Sequence, residues 1–450
     1  MTSPTLQFPG NIKLSAHHKN LCWLSAGKAM ELGIGFIVGL AVARALGPTQ
    51  FGVLALGYIL VGIAQRAAQS GLWAPLCTRA NDADIETWET AARTILKQRS
   101  WFWTAILTTI ILILPIGPLQ PHKLELILLA LAIPGNTGEC KAWILTAHLK
   151  SKLNIFAERC AQIITGIYQI ILVILLLFFF SNSTEGKSII FTLFALALPL
   201  NAWSRTLILN RISQKKEGEE GADGNGTGRP DLEKMKTMLS EGTGTRASVV
   251  IQFVCQNTPT LIAGLITPAA SGLISAAIRI RSITQLPAEL ILQNNCPQIV
   301  KTGDWKPTLW RVIANGTVCI ALIPFAPKMV TWLYGEAYQS AGYALQWLLI
   351  SVPAALLVTL LESQTLHLKT DQIDRVKHLQ KPAVLSLLIA LITTSAVAYL
   401  NLNLNPNKMD PAKIAALTGM FLTIQCSIHA FCLGTQLFID FSRKSKKKDA

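Results

Sequence analysis

Long stretches without a charged residue constrain the fold of this 450-residue chain more than any other feature. A helix needs about 20 apolar residues to cross about 30 Å of hydrocarbon. Stretches of this kind occupy residues 100–122, 160–184, 337–361, 382–400 and 414–439. Apolar and polar residues do not alternate within them, as they would in the strands of a membrane barrel. The sequence therefore predicts an all-α polytopic membrane protein.

The composition agrees with a membrane protein. Hydrophobic residues make up 51% of the chain and charged residues only 14%, whereas a soluble domain carries about 25% charged residues. The nine cysteines contain no C-x-x-C pair and no H-E-x-x-H motif is present, so we expect neither a metal site nor a cofactor. The N-terminal residues show no secretory signal peptide.

The apolar pattern predicts about twelve transmembrane helices in two halves of six, at 21–45, 50–77, 99–118, 123–148, 153–180, 187–211, 241–266, 269–294, 308–333, 340–367, 380–400 and 412–439. A segment rich in Gly, Glu and Lys lies between the sixth and seventh helices, which is typical of a flexible linker. We therefore divide the chain into an N-terminal half (1–212), a linker (213–240), a C-terminal half (241–440) and a basic tail (441–450).

Lysine and arginine predict the orientation, because cytoplasmic loops carry an excess of both. They concentrate in the N-terminal segment, the even-numbered loops and the C-terminal tail. The odd-numbered loops hold only Arg44, Lys123, Lys187, Lys328, Lys408 and Lys413. Both termini should be cytoplasmic, in the cytoplasmic (inner) membrane. The net charge of +15 then reflects topology rather than nucleic-acid binding, and the basic tail should meet anionic membrane lipids.

Two similar corners interrupt the apolar stretches. The sequence "ARALGPTQFG" (43–52) joins the first two predicted helices, and "AGLITPAASG" (263–272) joins the first two of the second half. Aligning Pro48 with Pro268 also places Gly52 on Gly272. A corner repeated at the same place in both halves indicates parallel repeats around an axis along the membrane normal, with a central cavity between them.

The first corner and a second motif also carry a family resemblance. "ARALGPTQFGVLALGYI" is similar to the corner that follows the first helix of polysaccharide-export flippases, and "VTWLYGEAYQSAGYALQWLL" (330–349) resembles their segment between helices nine and ten. These flippases belong to the multidrug/oligosaccharidyl-lipid/polysaccharide (MOP) exporter superfamily. The second corner departs from the pattern, since it reads T-P-A-A-S-G in place of L-G-P-x-x-x-G.

Ionisable residues within a predicted membrane helix are candidates for a functional site, because a charge in lipid costs at least about 2.5 kcal/mol. Arg279 and Arg281 lie about 200° apart on a helix, so they cannot both face one lumen, and the stripe formed with Gln285 and Glu289 favours Arg281. The residues predicted to line a substrate-binding cavity are Lys28, Glu31, Arg66, Gln69, Gln256, Arg279, Arg281, Gln285 and Glu289. For each, an ion pair or hydrogen bond between helices is the structural alternative.

A positively charged cleft between two halves suits an anion, since arginine and lysine are the side chains that bind phosphate. The resemblance implies that the anion is the pyrophosphate of a polyprenyl-linked oligosaccharide, moved by alternating access for synthesis of a surface polysaccharide such as O-antigen or exopolysaccharide. It also implies H⁺ or Na⁺ as the driving ion and other polysaccharide-assembly proteins as partners. No bond need break, so we expect a transporter rather than an enzyme.

Two alternatives remain open at this point. A drug/cation antiporter of the same superfamily would need an acidic cavity, whereas the buried charges here are mainly positive. A membrane glycosyl polymerase or ligase usually carries its chemistry on a large outer loop, and the odd-numbered loops here are short.

Overall fold

The computed structural model describes most of residues 16–113, 232–368 and 410–448, and little of residues 114–231 and 369–409. The described residues are 16–72, 76, 85–113, 122–131, 133–134, 140, 144–145, 163–164, 166–168, 170–171, 175, 204, 206–209, 232–241, 243–302, 305–368, 382, 384–390, 392–393 and 410–448. All regular structure within these ranges is helical, as predicted. The predicted helices at 153–180, 187–211 and 380–400 lie wholly or mostly outside them.

Helix α1 (Ala16–Gln69) contains the first two predicted helices and the first corner. Gly47 breaks it with φ 74° and ψ 172°, a conformation that is open to glycine and strained for other residues. Pro48 follows at the first position of the second helical segment, where its missing N–H costs nothing. The glycine–proline pair therefore makes the corner without interrupting the apolar core on either side.

The second corner lies between α5 (Thr243–Ile266) and α6 (Pro268–Thr302). Both helices begin within two residues of their predicted starts at 241 and 269. The Thr267 hydroxyl accepts a hydrogen bond from the Ala270 N–H at 3.3 Å, which makes Thr267 the N-cap of α6. Pro268 is again the first helical residue. Each corner therefore consists of one non-helical residue followed by proline: Gly47 before Pro48 at the first corner, and Thr267 before Pro268 at the second.

Three further helices are α2 (Ile85–Ile113), α3 (Lys123–Ala130) and α4 (Leu232–Glu241). Helix α2 begins well before the predicted start at residue 99. The prediction followed the apolar stretch, whereas the first turns of α2 are polar. Helix α4 covers the end of the predicted linker and packs on α2: Lys234 Nζ donates to the Thr87 hydroxyl and lies 5.6 Å from the centre of the Trp88 ring. The last part of the linker is therefore helical.

The predicted ninth helix is divided. Helix α7 (Lys306–Ala321) is followed by a 3₁₀ turn (Ile323–Phe325) and then by α8 (Ala326–Tyr334). Pro324 lies within that turn, and proline removes a helical N–H donor. Gly335, at φ 91°, ends α8, and a second 3₁₀ turn (Glu336–Tyr338) follows it.

Helices α9 (Ala341–Leu368) and α10 (Pro411–Lys448) complete the described bundle. They pack closely because a Cβ on Gly419 would lie only 2.9 Å from the carbonyl oxygen of Ala344. The Thr423 hydroxyl donates to the carbonyl of Trp347 at 2.7 Å. Helix α10 extends beyond its predicted end at residue 439 and carries the basic tail as far as Lys448.

The main hydrophobic core joins α1, α5, α6 and α7 to α10, and therefore spans both halves. Large apolar side chains also face outward, among them Trp332 (78% exposed), Phe431 and Phe438 (75% each). Among the described residues, four helical segments are long and apolar enough to cross a membrane: Leu32–Gln69, Thr308–Tyr334, Ala341–Glu362 and Pro411–Phe438. This arrangement is that of a helical membrane protein, with lipid as the solvent for the outward-facing side chains.

Candidate functional site at the junction of the two halves

The two corners meet directly. A Cβ on Gly52 would lie 1.7 Å from the carbonyl oxygen of Pro268, and a Cβ on Gly272 would lie 2.0 Å from the carbonyl oxygen of Pro48. Real Cβ atoms do not approach backbone so closely, so only glycine permits this contact. The reciprocity of the two contacts is what a pseudo-two-fold axis between repeats produces. We call this backbone contact, between 48–52 and 268–272, the seam.

Arg279 of α6 crosses from the second half to the first. Its Nη1 donates to the carbonyl of Gly35 at 3.0 Å, and its Cζ lies 5.4 Å from the centre of the Phe51 ring. A Cβ on Gly39 would lie 1.6 Å from Nη1, so the missing side chain at Gly39 provides the space for the guanidinium. Cation–π attraction to Phe51 adds to the hydrogen bond.

Four aromatic side chains surround this region. Phe51 and Tyr338 meet edge to face with ring centres 6.4 Å apart, as do Phe36 and Tyr334, and the rings of Tyr334 and Tyr338 are 5.3 Å apart. Tyr338 is 1% exposed, and burial raises the pKa of its phenol above the ordinary value. Its hydroxyl donates a hydrogen bond to the carbonyl of Ala43 at 2.9 Å.

Arg44 makes a second polar connection between the corner and α8. Its Nε donates to the carbonyl of Leu333 at 2.6 Å and its Nη2 to the carbonyl of Trp332 at 2.9 Å. These carbonyls belong to the last turn of α8, which lacks internal partners and carries the negative end of the helix dipole. The first corner and the "LYGEAY" motif, which together carried the family resemblance, are thus in direct contact.

Two other predicted arginines occupy different places. Arg66 is exposed, and its Cζ lies 5.7 Å from the ring centre of Phe253 on α5, so it also faces the opposite half. Arg281 lies beside Cys426 of α10, within the second half, and its buried Nε has no hydrogen-bond partner. A buried N–H of this kind is normally satisfied by a water or an ion.

The remaining predicted residues are placed as follows. Lys28 and Glu31 lie on α1, and their side chains are outside the described part of the structure. Gln256 is exposed and Gln69 is partly buried. The Gln285 amide donates to the Glu289 carboxylate on the stripe that sequence spacing predicts. The structure therefore brings Arg66 and Arg279 to the junction of the halves, and the joint cavity for the whole set stays a prediction.

The described side chains at this junction carry a net positive charge. Among side chains that the structure describes, the ion pair formed is Arg93–Glu89 on α2, and none joins a carboxylate to Arg66, Arg279 or Arg281. Carbonyl oxygens and aromatic faces bind an arginine without neutralising its charge. The guanidinium groups consequently remain able to bind an anion through their planar array of donors.

Several residues of this site were missed by the sequence interpretation. From the sequence, Arg44 counts only as a charge in an odd-numbered loop, and Gly35 and Gly39 are not singled out. Two sequence features could have identified residues of this site. Gly35 and Gly39 are four residues apart, on one face of α1, and Tyr334 and Tyr338 belong to the quoted "LYGEAY" motif.

Residues 18–301 match the polysaccharide biosynthesis protein family. The chain belongs to this family. The resemblance stated from the corner and "LYGEAY" motifs is therefore confirmed. No relative among the curated proteins matches the sequence.

Solved structures of the MOP superfamily share the fold. The eukaryotic MATE transporter AtDTX14 has 14% identity and a TM-score of 0.54, with 96% of this chain and 98% of the other covered. A variant of the Vibrio cholerae MATE transporter VcmN has 10% identity and a TM-score of 0.58, with 96% and 99% covered. This family member is therefore a multi-pass membrane protein with a MATE-like transporter fold.

A third solved structure is a MOP superfamily transporter from Pyrococcus furiosus, described as having a binding pocket of reverse polarity that suggests a different function. It has 13% identity and a TM-score of 0.54, with 92% of this chain and 95% of the other covered. At this identity the similarity concerns the fold alone.

Gly39→Ala should separate the position of Arg279 from the stability of the fold. Alanine gains about 1 kcal/mol of helix propensity over glycine, which offsets the loss of about 1 kcal/mol from the Arg279–Gly35 hydrogen bond. We therefore expect an unchanged unfolding temperature together with about a ten-fold fall in transport, because the new methyl group displaces the guanidinium. The measurement is transport per folded molecule in membranes. Gly33→Ala, which meets nothing within 4 Å, is the control and should transport normally.

Proposed function

We propose that this protein is a flippase that moves a polyprenyl-pyrophosphate-linked oligosaccharide across the cytoplasmic membrane by alternating access, for surface polysaccharide synthesis. The observation that carries the proposal is Arg279: a guanidinium from one half inserted against the other half, held by a carbonyl and an aromatic ring, without a carboxylate partner among the described side chains. Such a group is positioned and still cationic, as recognition of a pyrophosphate requires.

The rest of the cation set extends this proposal. Lys28, Arg66 and Arg281 line the cavity and bind the phosphates, and Arg279 acts from the other face of α6, where it contacts the first half. Glu31 and Glu289 hold the cations between turnovers. The amides of Gln69, Gln256 and Gln285 bind the glycan. The polyprenyl tail stays in the surrounding lipid, whose contact with the protein is the apolar outer surface of the helices.

Family membership and fold support the same assignment. A member of a polysaccharide biosynthesis family with a MATE-like fold needs a substrate that is both glycan and membrane-borne. The fold neighbour with reversed pocket polarity illustrates that this fold accommodates different pocket charges. A cationic cleft favours an anionic lipid-linked glycan over the cations that a drug antiporter exports. No covalent step is required, so the protein acts as a transporter and not as an enzyme.

A deletion strain provides the direct test. Loss of the protein should abolish surface polysaccharide and cause lipid-linked oligosaccharide to accumulate in the inner leaflet. Purified protein in vesicles should then expose a labelled polyprenyl-pyrophosphate oligosaccharide to an external glycosidase, with H⁺ and Na⁺ gradients varied in turn. Normal surface polysaccharide in the deletion strain, together with increased sensitivity to cationic drugs, would instead favour the antiporter.

The proposed orientation places both termini and residues 213–231 in the cytoplasm. Gly224→Cys, introduced into that segment, should resist a membrane-impermeant maleimide applied to intact cells and react after the cells are broken open. The physical reason is the concentration of lysine and arginine on that side of the membrane. Rapid labelling in intact cells would reverse the orientation.

A further inference from the structure

The seam closes one end of the junction by backbone contact alone. Gly52 and Gly272 meet the carbonyls of Pro268 and Pro48, and Ser271 between them is 0% exposed. No water path passes through atoms this close. In the proposed orientation the odd-numbered loops face outward, so the seam lies at the outer end of the cleft. The described conformation is thus closed to the outside.

The polar connections across the same end are one-sided. Arg44 and Ala43 of the first corner bind Leu333, Trp332 and Tyr338 of the second half. The residue that aligns with Arg44 in the second corner is Gly264, which has no side chain to make the reciprocal contact. The backbone contact at the seam is therefore symmetric, whereas the hydrogen bonds beside it, made by Arg44 and Tyr338, have no counterpart from Gly264.

These two residues suit a contact that forms and breaks. Arg44 is exposed, so water can replace its carbonyl partners when the halves separate, and the net strength of such bonds is small. Tyr338 is buried. If its hydroxyl leaves the carbonyl of Ala43, water cannot replace that partner until the seam has opened. Release of Arg44 and then of Tyr338 follows the order of their exposure.

We propose that Arg44 and Tyr338 form a latch that holds the outer end of the cleft closed and must release each time the protein opens outward. The proposal rests on alternating access in the proposed function, but not on the identity of the substrate. The latch sets how often the outer end opens. Weakening it should increase outward opening in the absence of any substrate.

Ser271→Cys provides a reporter inside the seam. The Ser271 hydroxyl oxygen has no hydrogen-bond partner, so the exchange of oxygen for sulfur is mild. The experiment applies an impermeant maleimide from the outside to full-length protein in cells and quantifies the peptide that contains residue 271 by mass spectrometry. Labelling should be slow in the parent and about five-fold faster with Tyr338→Phe, which loses one buried hydrogen bond. It should be about ten-fold faster with Arg44→Gln, which loses two exposed and individually weaker hydrogen bonds.

Matched controls remove the same groups elsewhere. Arg93→Gln and Tyr343→Phe alter exposed side chains on α2 and α9, outside the residues that form the seam, and should leave the labelling rate unchanged. Arg44→Lys keeps the charge but lacks the planar guanidinium, whose separate nitrogens donate to the two carbonyls, and should label at an intermediate rate. Equal labelling rates in the parent, Arg44→Gln and Tyr338→Phe would overturn the latch, as would equal acceleration by the controls. A protein that labels as expected yet fails to move the lipid-linked glycan would refute the proposed function and leave the latch intact.

Discussion

Arg279→Glu should reduce export of the lipid-linked oligosaccharide by about 100-fold or more. Truncating one partner of a desolvated charge pair costs about 2–5 kcal/mol, and each 1.4 kcal/mol is a factor of ten. Charge reversal adds repulsion of the phosphates to the lost attraction. Arg279→Lys should have a smaller effect, about ten-fold, because the charge survives while the planar donor array is lost. The measurement is surface polysaccharide per cell at equal protein level.

Charge reversal at Arg66 and Arg281, the two other described arginines assigned to the proposed cleft, tests the rest of it. Arg66→Glu and Arg281→Glu should also abolish export while leaving the protein inserted and folded. Arg93→Glu on α2 is the matched control, because Arg93 is an exposed arginine whose partner is Glu89 of the same helix. Export at the parental rate by Arg279→Glu, Arg66→Glu and Arg281→Glu variants would refute the anion-binding assignment.

Gly272→Val should prevent the two corners from meeting. The first carbon of the new side chain would lie 2.0 Å from the carbonyl oxygen of Pro48, and a backbone oxygen cannot withdraw without moving its helix. Overpacking of this kind costs about 1–3 kcal/mol or more. We expect loss of export, and labelling of Ser271→Cys in the same chain as fast as that of a surface cysteine.

Gly33→Val is the control for this substitution. It places the same β-branched residue within a helix of the same bundle, at a position that meets nothing within 4 Å. It therefore makes the same change in helix propensity without the clash. If Gly272→Val were to export at the rate of Gly33→Val, the backbone contact at the seam would have no role in transport.

The sequence by itself determined the fold class and the places where helices begin and end in much of the chain. A run of apolar residues without charges requires a helix in lipid, because the backbone must satisfy its own hydrogen bonds there. Glycine and proline at 47–48 and proline at 268 end and restart helices through local geometry. The predicted corners and the helices on either side of the second one agree with the structure for that reason. Hydropathy did not predict the first turns of α2 or the whole of α4, because polar residues form these helical segments.

Only the tertiary structure decided which side chains meet across the two halves. Helical geometry states that Arg279 and Arg281 point in different directions, but not which direction faces the first half. The polar stripe favoured Arg281, whereas packing brings Arg279 against Gly35 and places Arg281 beside Cys426. Arg44 reaches carbonyls almost 290 positions away along the chain. A contact of that kind depends on how whole helices pack, and the space that glycine leaves on one helix has meaning only when the other helix is in place.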